Sequence, residues 1–111
     1  MLRKQDLAKT VRKPINAREA NQLLDHLEKW NGGVSSEWKA RANANREAMD
    51  RGDPFAYAEV YKGLSRLEAE GALRTTDREH LNQSLDFLAE ELANALGKTP
   101  EQARNQIARI W

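Results

Sequence analysis

The sequence contains no cysteine, which excludes disulfide bonds and thiolate metal sites. Its only histidines are His26 and His80, too few for a histidine-rich metal centre. No apolar run approaches the roughly 20 residues that a membrane-spanning helix needs. The first residues also lack the apolar core of a secretory signal peptide. These absences predict a cytoplasmic protein without a metal site and without a membrane partner.

The sequence patterns of common enzyme sites are absent as well. There is no glycine-rich phosphate loop, no His-x-x-x-His pair and no nucleophile elbow. Glu90 and Glu91 are neighbours in sequence, so on a helix they point to different faces and cannot form a carboxylate dyad. We therefore predict no catalytic residue, no cofactor and no enzymatic activity.

The remaining composition is that of one small, highly charged domain. The chain has 111 residues, of which 40% are hydrophobic and 32% charged, enough for one modest core. The net charge of +1 hides an asymmetry, because residues 1–13 hold five basic residues against one aspartate. We expect a basic arm at residues 1–13 ahead of a helical domain at 14–111. The arm is either a nucleic-acid contact or a solvated, frayed terminus.

Apolar spacing and capping signals predict five helices and no strand. The expected ranges lie near 17–29, 36–51, 54–70, 76–96 and 100–110. The start signals are the capping boxes Asn16–Glu19, Thr76–Glu79 and Thr99–Gln102, the candidate serine caps Ser35 and Ser36, and the pair Asp53–Pro54. The predicted fold class is all-α, a compact array of four to five helices.

Leucines dominate the fourth predicted helix. They recur at intervals of four and three positions, which places them on one face of a helix. We expect this face to form the central spine of the core, with the members Leu81, Leu85, Leu88 and Leu92. Both histidines are expected at the surface or at a helix edge.

The second predicted helix offers the candidate functional residues. Trp38 stands in its first turn, close to the cations Lys39, Arg41 and Arg46. One interpretation is an exposed wedge for the DNA minor groove, in which the indole supplies apolar area and the cations contact phosphates. The other is a core tryptophan, because Trp38 shares a helical stripe with small and apolar residues. The sequence pattern by itself leaves both open.

Several segments of the chain share their order and spacing with a known family. Trp38 opens a helix after a polar linker, and the further matching segments are Arg41, the Arg51-Gly52-Asp53 turn, AEVYKGL (Ala58–Leu64), Gly71-Ala72-Leu73 and DREHLNQSLDFLAEELA (Asp77–Ala93). Upstream, TVRKPINAREANQLLDHL (Thr10–Leu27) is similar to a segment that joins two domains. Over residues 10–96 the chain resembles the C-terminal helical domain of CarD/CdnL-type bacterial transcription regulators.

The resemblance implies a factor that binds RNA polymerase through an N-terminal Tudor-like β domain. Its helical domain would contact promoter DNA at the upstream edge of the melted bubble and change the lifetime of the open complex. The tryptophan at the position of Trp38 would wedge into the minor groove. The expected partners are promoter DNA and RNA polymerase, and the predicted DNA-binding residues are Trp38, Lys39, Arg41 and Arg46.

The chain also departs from the family pattern. Only residues 1–13 precede the joining segment, so the resemblance implies a fragment or a shortened relative whose β domain is missing. Asn43 is neutral near a DNA-contacting lysine position, and Glu79 and His80 replace residues that are more often basic, which weakens the attraction to DNA. The alternative function is a helical protein-interaction module without DNA binding, which would dock through Trp30, Trp111 and the first helix.

Overall fold

Five α-helices occupy the residues that the structure describes, 15–32 and 36–110, in a computed structural model of the chain. They are α1 (Ala17–Lys29), α2 (Trp38–Asp50), α3 (Pro54–Ala69), α4 (Thr75–Leu96) and α5 (Pro100–Ile110). No strand occurs within these described ranges, so the all-α prediction is confirmed and the predicted bounds agree to within two residues. The expected arm at residues 1–13 lies outside the described residues and stays a prediction.

Three of the predicted helix starts are confirmed. The Asn16 side chain accepts the backbone N–H of Glu19 at 2.8 Å, and the Asn16 N–H donates to the Glu19 carboxylate at 3.1 Å. The same reciprocal pair joins Thr99 and Gln102 at 3.0 and 3.1 Å. Asp53 caps α3 by accepting the N–H of Phe55 at 3.0 Å. Each pair satisfies backbone donors that a helix start leaves without an intrahelical acceptor.

At two helix starts the predicted capping residues are wrong. α2 begins at Trp38, and its cap is the Glu37 carboxylate, which accepts the N–H groups of the next residues at 2.8 and 3.3 Å, rather than a serine. α4 begins at Thr75, one residue before the predicted cap Thr76. There the Asp77 carboxylate accepts the N–H of Arg74 at 3.1 Å. At α2 an acidic side chain thus replaces the expected hydroxyl as the acceptor of the first N–H groups, whereas at α4 the Asp77 carboxylate accepts the N–H of the residue before the helix.

α4 lies at the centre of the array and packs against all four other helices. α2 packs against α3 and α4, whereas α5 packs against α4 and α1. The helices α2 and α5 therefore do not contact each other, and α4 lies between them. No helix in the described ranges combines the length and the apolar character that crossing a membrane requires.

The leucine spine of α4 is confirmed at three of its four positions. Leu81, Leu88 and Leu92 are buried in the main hydrophobic cluster, whereas Leu85 lies partly exposed at its margin. Ser84 is fully buried instead, and its hydroxyl donates to the Leu81 carbonyl at 2.9 Å. Burial of a hydroxyl is tolerated here because the preceding turn of the same helix satisfies its hydrogen bond.

Polar contacts tie the end of α1 to α3. The Lys62 ammonium is buried and donates to the carbonyl groups of Leu27 and Glu28, in the last turn of α1. Burial disfavours the charged amine and lowers the pKa of Lys62. One turn later, Arg66 donates to the Gly32 carbonyl at 3.2 Å. A cation thus satisfies carbonyl groups that a helix end leaves without an intrahelical donor.

Truncation of Leu88 tests the central place of α4. Leu88 has no exposed surface, so we expect Leu88→Ala to lower the free energy of unfolding by about 2–5 kcal/mol in urea denaturation. Gln83→Ala on the exposed side of the same helix is the control, with an expected change below about 0.5 kcal/mol. Equal small effects of both substitutions would show that α4 does not form the core.

Candidate nucleic-acid interface

Trp38 is the first residue of α2 and stands at the edge of the core rather than within it. Its relative exposure is 39%, whereas Ala42, Asn45 and Met49 on the same helical stripe are buried. Trp38 lies one turn before these residues, at the very start of the helix, where its ring stays open to solvent. The core-tryptophan interpretation is therefore wrong, and the expectation of an exposed indole is confirmed.

Two cations lie over the Trp38 ring. Lys39 Nζ is 5.6 Å from the ring centroid, and the guanidinium carbon of Arg74 is 5.2 Å from it. Both distances fall within the range of about 6 Å in which a cation is attracted to an indole face. We call Trp38, Lys39 and Arg74 the indole–cation cluster. It combines a flat apolar surface with two positive charges at one exposed point of the domain.

Arg74 is the residue of this cluster that the sequence analysis missed. It is exposed and directly precedes α4, far from Trp38 in the sequence. Nothing local in the sequence links these two positions, since no periodic pattern connects the starts of two separate helices. Only the packing of α2 against α4 brings the guanidinium to the indole.

Arg46 extends the positive surface along α2. It is exposed and follows Lys39 by seven positions, which is about two turns, so the two residues share one side of the helix about 10 Å apart. Its charge also acts on His80 near the start of α4. The pKa of His80 is lowered, first because burial disfavours the imidazolium and second because of the positive charge of Arg46.

His80 itself lies in the interior, so the expectation of a surface position is wrong. It is buried along with Asn45. In the part of the chain that the structure describes, Asn45 Nδ2 and His80 Nδ1 are the buried side-chain atoms without a hydrogen-bond partner. With a lowered pKa, His80 is neutral at physiological pH, and it adds no charge to the surface formed by α2 and α4.

Arg41 differs from the other predicted DNA-binding residues because its side chain is buried. Only 4% of it is exposed, and it forms a two-pronged ion pair with Asp77, whose side chain is 2% exposed. Arg41 Nε donates to Oδ1 at 2.8 Å, and Nη2 donates to Oδ2 at 2.6 Å. The expected phosphate contact of Arg41 does not fit this position, because reaching DNA would leave the buried carboxylate of Asp77 uncompensated.

The electrostatics of the pair follow from its geometry. Hydrogen bonds from the Arg41 guanidinium are the main cause that holds the pKa of Asp77 below its ordinary value of 3.8, and the N–H of Arg74 acts in the same direction. Burial of the carboxylate acts against both. In turn, the hydrogen bond to Asp77 raises the pKa of Arg41. Both groups are therefore charged throughout the physiological pH range.

The Arg41–Asp77 pair joins the starts of two helices. Arg41 lies in the first turns of α2, and Asp77 lies in the first turn of α4. The positive end of each helix dipole thus lies close to this junction. The Glu37 carboxylate covers the first N–H groups of α2, so attraction for an anion comes mainly from the cationic side chains of Lys39, Arg46 and Arg74.

The described residues contain no group of three or more histidine, aspartate or glutamate side chains arranged to bind a metal ion.

Of the residues expected to dock a protein partner, Trp30 is half-buried, and Trp111 lies outside the described residues. A shallow groove between α1 and α5 is lined by polar and charged side chains together with Leu24 and Ile110. It contains no exposed aromatic residue comparable to Trp38.

Fold and surface together define an all-α domain with an exposed indole and clustered cations where two helices begin. The family model described as "CarD, C-terminal domain" matches residues 22–108 of the chain. This range holds all but the first residues of α1 and nearly all of α5, and it includes the whole indole–cation cluster. The chain belongs to the CarD C-terminal domain family.

One relative gives a comparison with a longer protein. The Bacillus subtilis (strain 168) protein named "Putative transcription factor YdeB" is 31% identical to this chain over 68 residues. The aligned region covers 61% of this chain and 44% of that protein. The chain thus matches less than half the length of this relative.

The pH dependence of stability tests the ion pair. Because the pKa of folded Asp77 lies below the ordinary value of 3.8, the pair stabilises the fold fully above that value. Its contribution is lost as the pH falls through the lower pKa of the folded state. We expect Asp77→Asn to cost about 3–5 kcal/mol at neutral pH, because it removes the buried carboxylate charge that pairs with the Arg41 guanidinium.

Urea denaturation of both proteins at neutral pH and below about pH 3 measures this difference. The gap in unfolding free energy between wild type and Asp77→Asn is expected to narrow in acid, where wild-type Asp77 becomes protonated. A gap of the same size at both pH values would contradict a stabilising ion pair.

Proposed function

We propose that this chain is a DNA-contacting module of a transcription regulator and that it binds promoter DNA beside the melted bubble, together with RNA polymerase. The observation that carries this proposal is the indole–cation cluster, an exposed Trp38 ring with Lys39 and Arg74 within cation–π distance. Membership of the CarD C-terminal domain family supports a role in transcription. The name of the Bacillus relative supports the same role.

The chemistry of the cluster suits a junction between paired and melted DNA. An indole can wedge between base steps in the minor groove or stack on an unpaired base, where stacking contributes about 1–3 kcal/mol per base. The Trp38 side chain is already partly exposed in the free protein, so binding requires no rearrangement of the fold to release it. Only the Lys39 and Arg74 side chains that lie over the ring have to move when a base stacks on it. DNA at the edge of the bubble offers both unpaired bases, on which an indole can stack, and base steps that are easily unstacked.

Phosphate contacts would come from the cations around the ring. Lys39 and Arg74 lie over the indole, and Arg46 lies two helical turns from Lys39 on the same side of α2. Such cations position a protein on the backbone without reading the sequence. Arg41 is excluded from this set because its guanidinium is held inside by Asp77.

RNA polymerase is the second proposed partner, and its support is of a different kind. It rests on the family alone, since the described helices show no surface that identifies a polymerase subunit. A pull-down with purified polymerase, in the presence and absence of promoter DNA, would test it. Retention only in the presence of DNA would mean that the chain joins the complex through DNA contacts.

Trp38→Ala tests the wedge. We expect its affinity for a partly melted, AT-rich promoter fragment to fall about tenfold, which corresponds to about 1.4 kcal/mol, in a fluorescence anisotropy titration. The unfolding free energy should change little, because the indole lies at the edge of the core. Phe87→Ala is the matched control, since Phe87 is an aromatic residue with the same exposure of 39% on α4.

The result for Trp38 is decisive in either direction. If Trp38→Ala binds the melted fragment as tightly as the wild type, or if Phe87→Ala weakens binding as much as Trp38→Ala does, the wedge does not exist. If the wild type shows no salt-dependent affinity for DNA, the alternative of a protein-interaction module replaces the proposal.

Arg46→Ala and Arg74→Ala test the phosphate contacts. Each variant should weaken binding to all sequences alike and reduce the slope of log affinity against log salt by roughly one unit, because fewer counterions are released. Arg109→Ala on α5 is the control. It also removes an exposed arginine, but α5 packs against α1 and α4 rather than α2. An equal change of slope in all three variants would indicate unspecific attraction by net charge.

A further inference from the structure

We infer that the buried Arg41–Asp77 pair is a positioning device for the DNA-contacting side chains, in which Asp77 places Arg74 over the indole. This inference deepens the proposed function and rests on it. Arg41 was expected to contact a phosphate. In this inference it acts inside the protein instead, as the partner of Asp77.

The geometry forms a closed chain of contacts between the two helix starts. Trp38 and Arg41 are three positions apart on α2, and Arg74 and Asp77 are three positions apart at the start of α4. Arg41 joins Asp77 through two hydrogen bonds, at 2.6 and 2.8 Å. Asp77 accepts the backbone N–H of Arg74 at 3.1 Å. The Arg74 guanidinium then returns to the Trp38 ring at 5.2 Å.

This arrangement restrains Arg74 at its backbone while its side chain stays exposed. The Asp77 carboxylate is an acceptor for both Arg41 and the Arg74 N–H, so one buried group links the surface residue to the partner helix. A guanidinium–carboxylate pair with two parallel hydrogen bonds also fixes the relative orientation of its partners. Without the pair, the start of α4 would lose its tie to α2, and Arg74 would lose its fixed place beside the indole.

Asp77→Asn distinguishes this role from a direct phosphate contact by Arg41, because the two roles predict different changes of the affinity for DNA. The substitution removes a negative charge near the DNA surface and leaves the positive charge of Arg41. A phosphate-binding Arg41 would then bind DNA as tightly as before or more tightly. A positioning pair predicts weaker binding to the melted fragment, by about fivefold to tenfold, within the range of a single stacking or cation–π contact.

A second measurement follows the position of Arg74 without DNA. In a background of Trp30→Phe and Trp111→Phe, Trp38 is the only tryptophan, and acrylamide quenching reports the access to its ring. We expect Asp77→Asn to raise this quenching to the level of Arg74→Ala. The two substitutions combined should raise it no further, since residues that act through one contact are not additive.

Lys62→Met is the matched control for loss of stability alone. Lys62 is a buried cation whose hydrogen bonds join α3 to the carbonyl groups of Leu27 and Glu28 in α1. It should destabilise the fold while leaving the quenching of Trp38 and the DNA affinity unchanged at temperatures where circular dichroism shows a folded protein. Equal shifts of both readouts in Lys62→Met and Asp77→Asn would overturn the inference, because they would trace the effect to general loosening.

If Asp77→Asn does not fold, Arg41→Lys carries the test. Lysine keeps the charge but cannot form the two-pronged pair, so the positioning role predicts weaker DNA binding and stronger quenching of Trp38. A folded Arg41→Lys variant with wild-type values for both would overturn it. Failure of the proposed function gives a different result. The wild type would then show no salt-dependent affinity for DNA, or Trp38→Ala would bind DNA as tightly as the wild type. The quenching comparison would still test the position of Arg74, because it needs no DNA.

Discussion

The ion pair between Arg41 and Asp77 is the interaction on which the candidate surface depends. Both groups are almost completely buried, and burial of two charges is costly unless geometry and further hydrogen bonds compensate it. Here the guanidinium meets both carboxylate oxygens, and the carboxylate receives an additional N–H from Arg74. The pair therefore joins α2 to α4 at the point where both helices begin. Through the N–H of Arg74 it also positions this exposed residue beside Trp38.

The domain uses buried cations at two separate places. Arg41 holds the start of α2 against α4, and Lys62 holds the end of α1 against α3. The first contact is between two charged side chains, and the second is between an ammonium group and backbone carbonyls. Each one is directional, whereas apolar contacts have little directional preference.

Much of the fold could be predicted from the sequence, because local signals determine where its helices begin and end. Asn16 with Glu19, and Thr99 with Gln102, act as caps through neighbours within one turn. Leucine spacing on α4 identified three of its buried residues, Leu81, Leu88 and Leu92, since a helix buries residues at fixed intervals. The two mistaken caps show the limit. Glu37 took the place of the expected serine, and α4 begins with Asp77 bound to the N–H of Arg74 instead of the predicted Thr76–Glu79 pair.

The candidate site was only partly predictable, and the reason is again physical. Trp38, Lys39 and Arg46 could be selected because they lie close together on one predicted helix. Arg41 could not be separated from them, since a sequence shows a positive charge without showing whether a carboxylate from another helix covers it. Arg74 gave no signal at all, because its relation to Trp38 exists only across the interface of α2 and α4.

By itself, the sequence determined the fold class, the extent of the five helices in the described ranges and the resemblance to the CarD C-terminal domain. The helices follow from hydrogen bonds and apolar spacing within a few turns of the same helix, whereas the resemblance follows from the order and spacing of the matching sequence segments. Only the tertiary structure decided that Trp38 stays exposed, that Arg41 is buried and that Arg74 joins the indole. The last two outcomes depend on contacts between residues 36 positions apart, which no local pattern encodes.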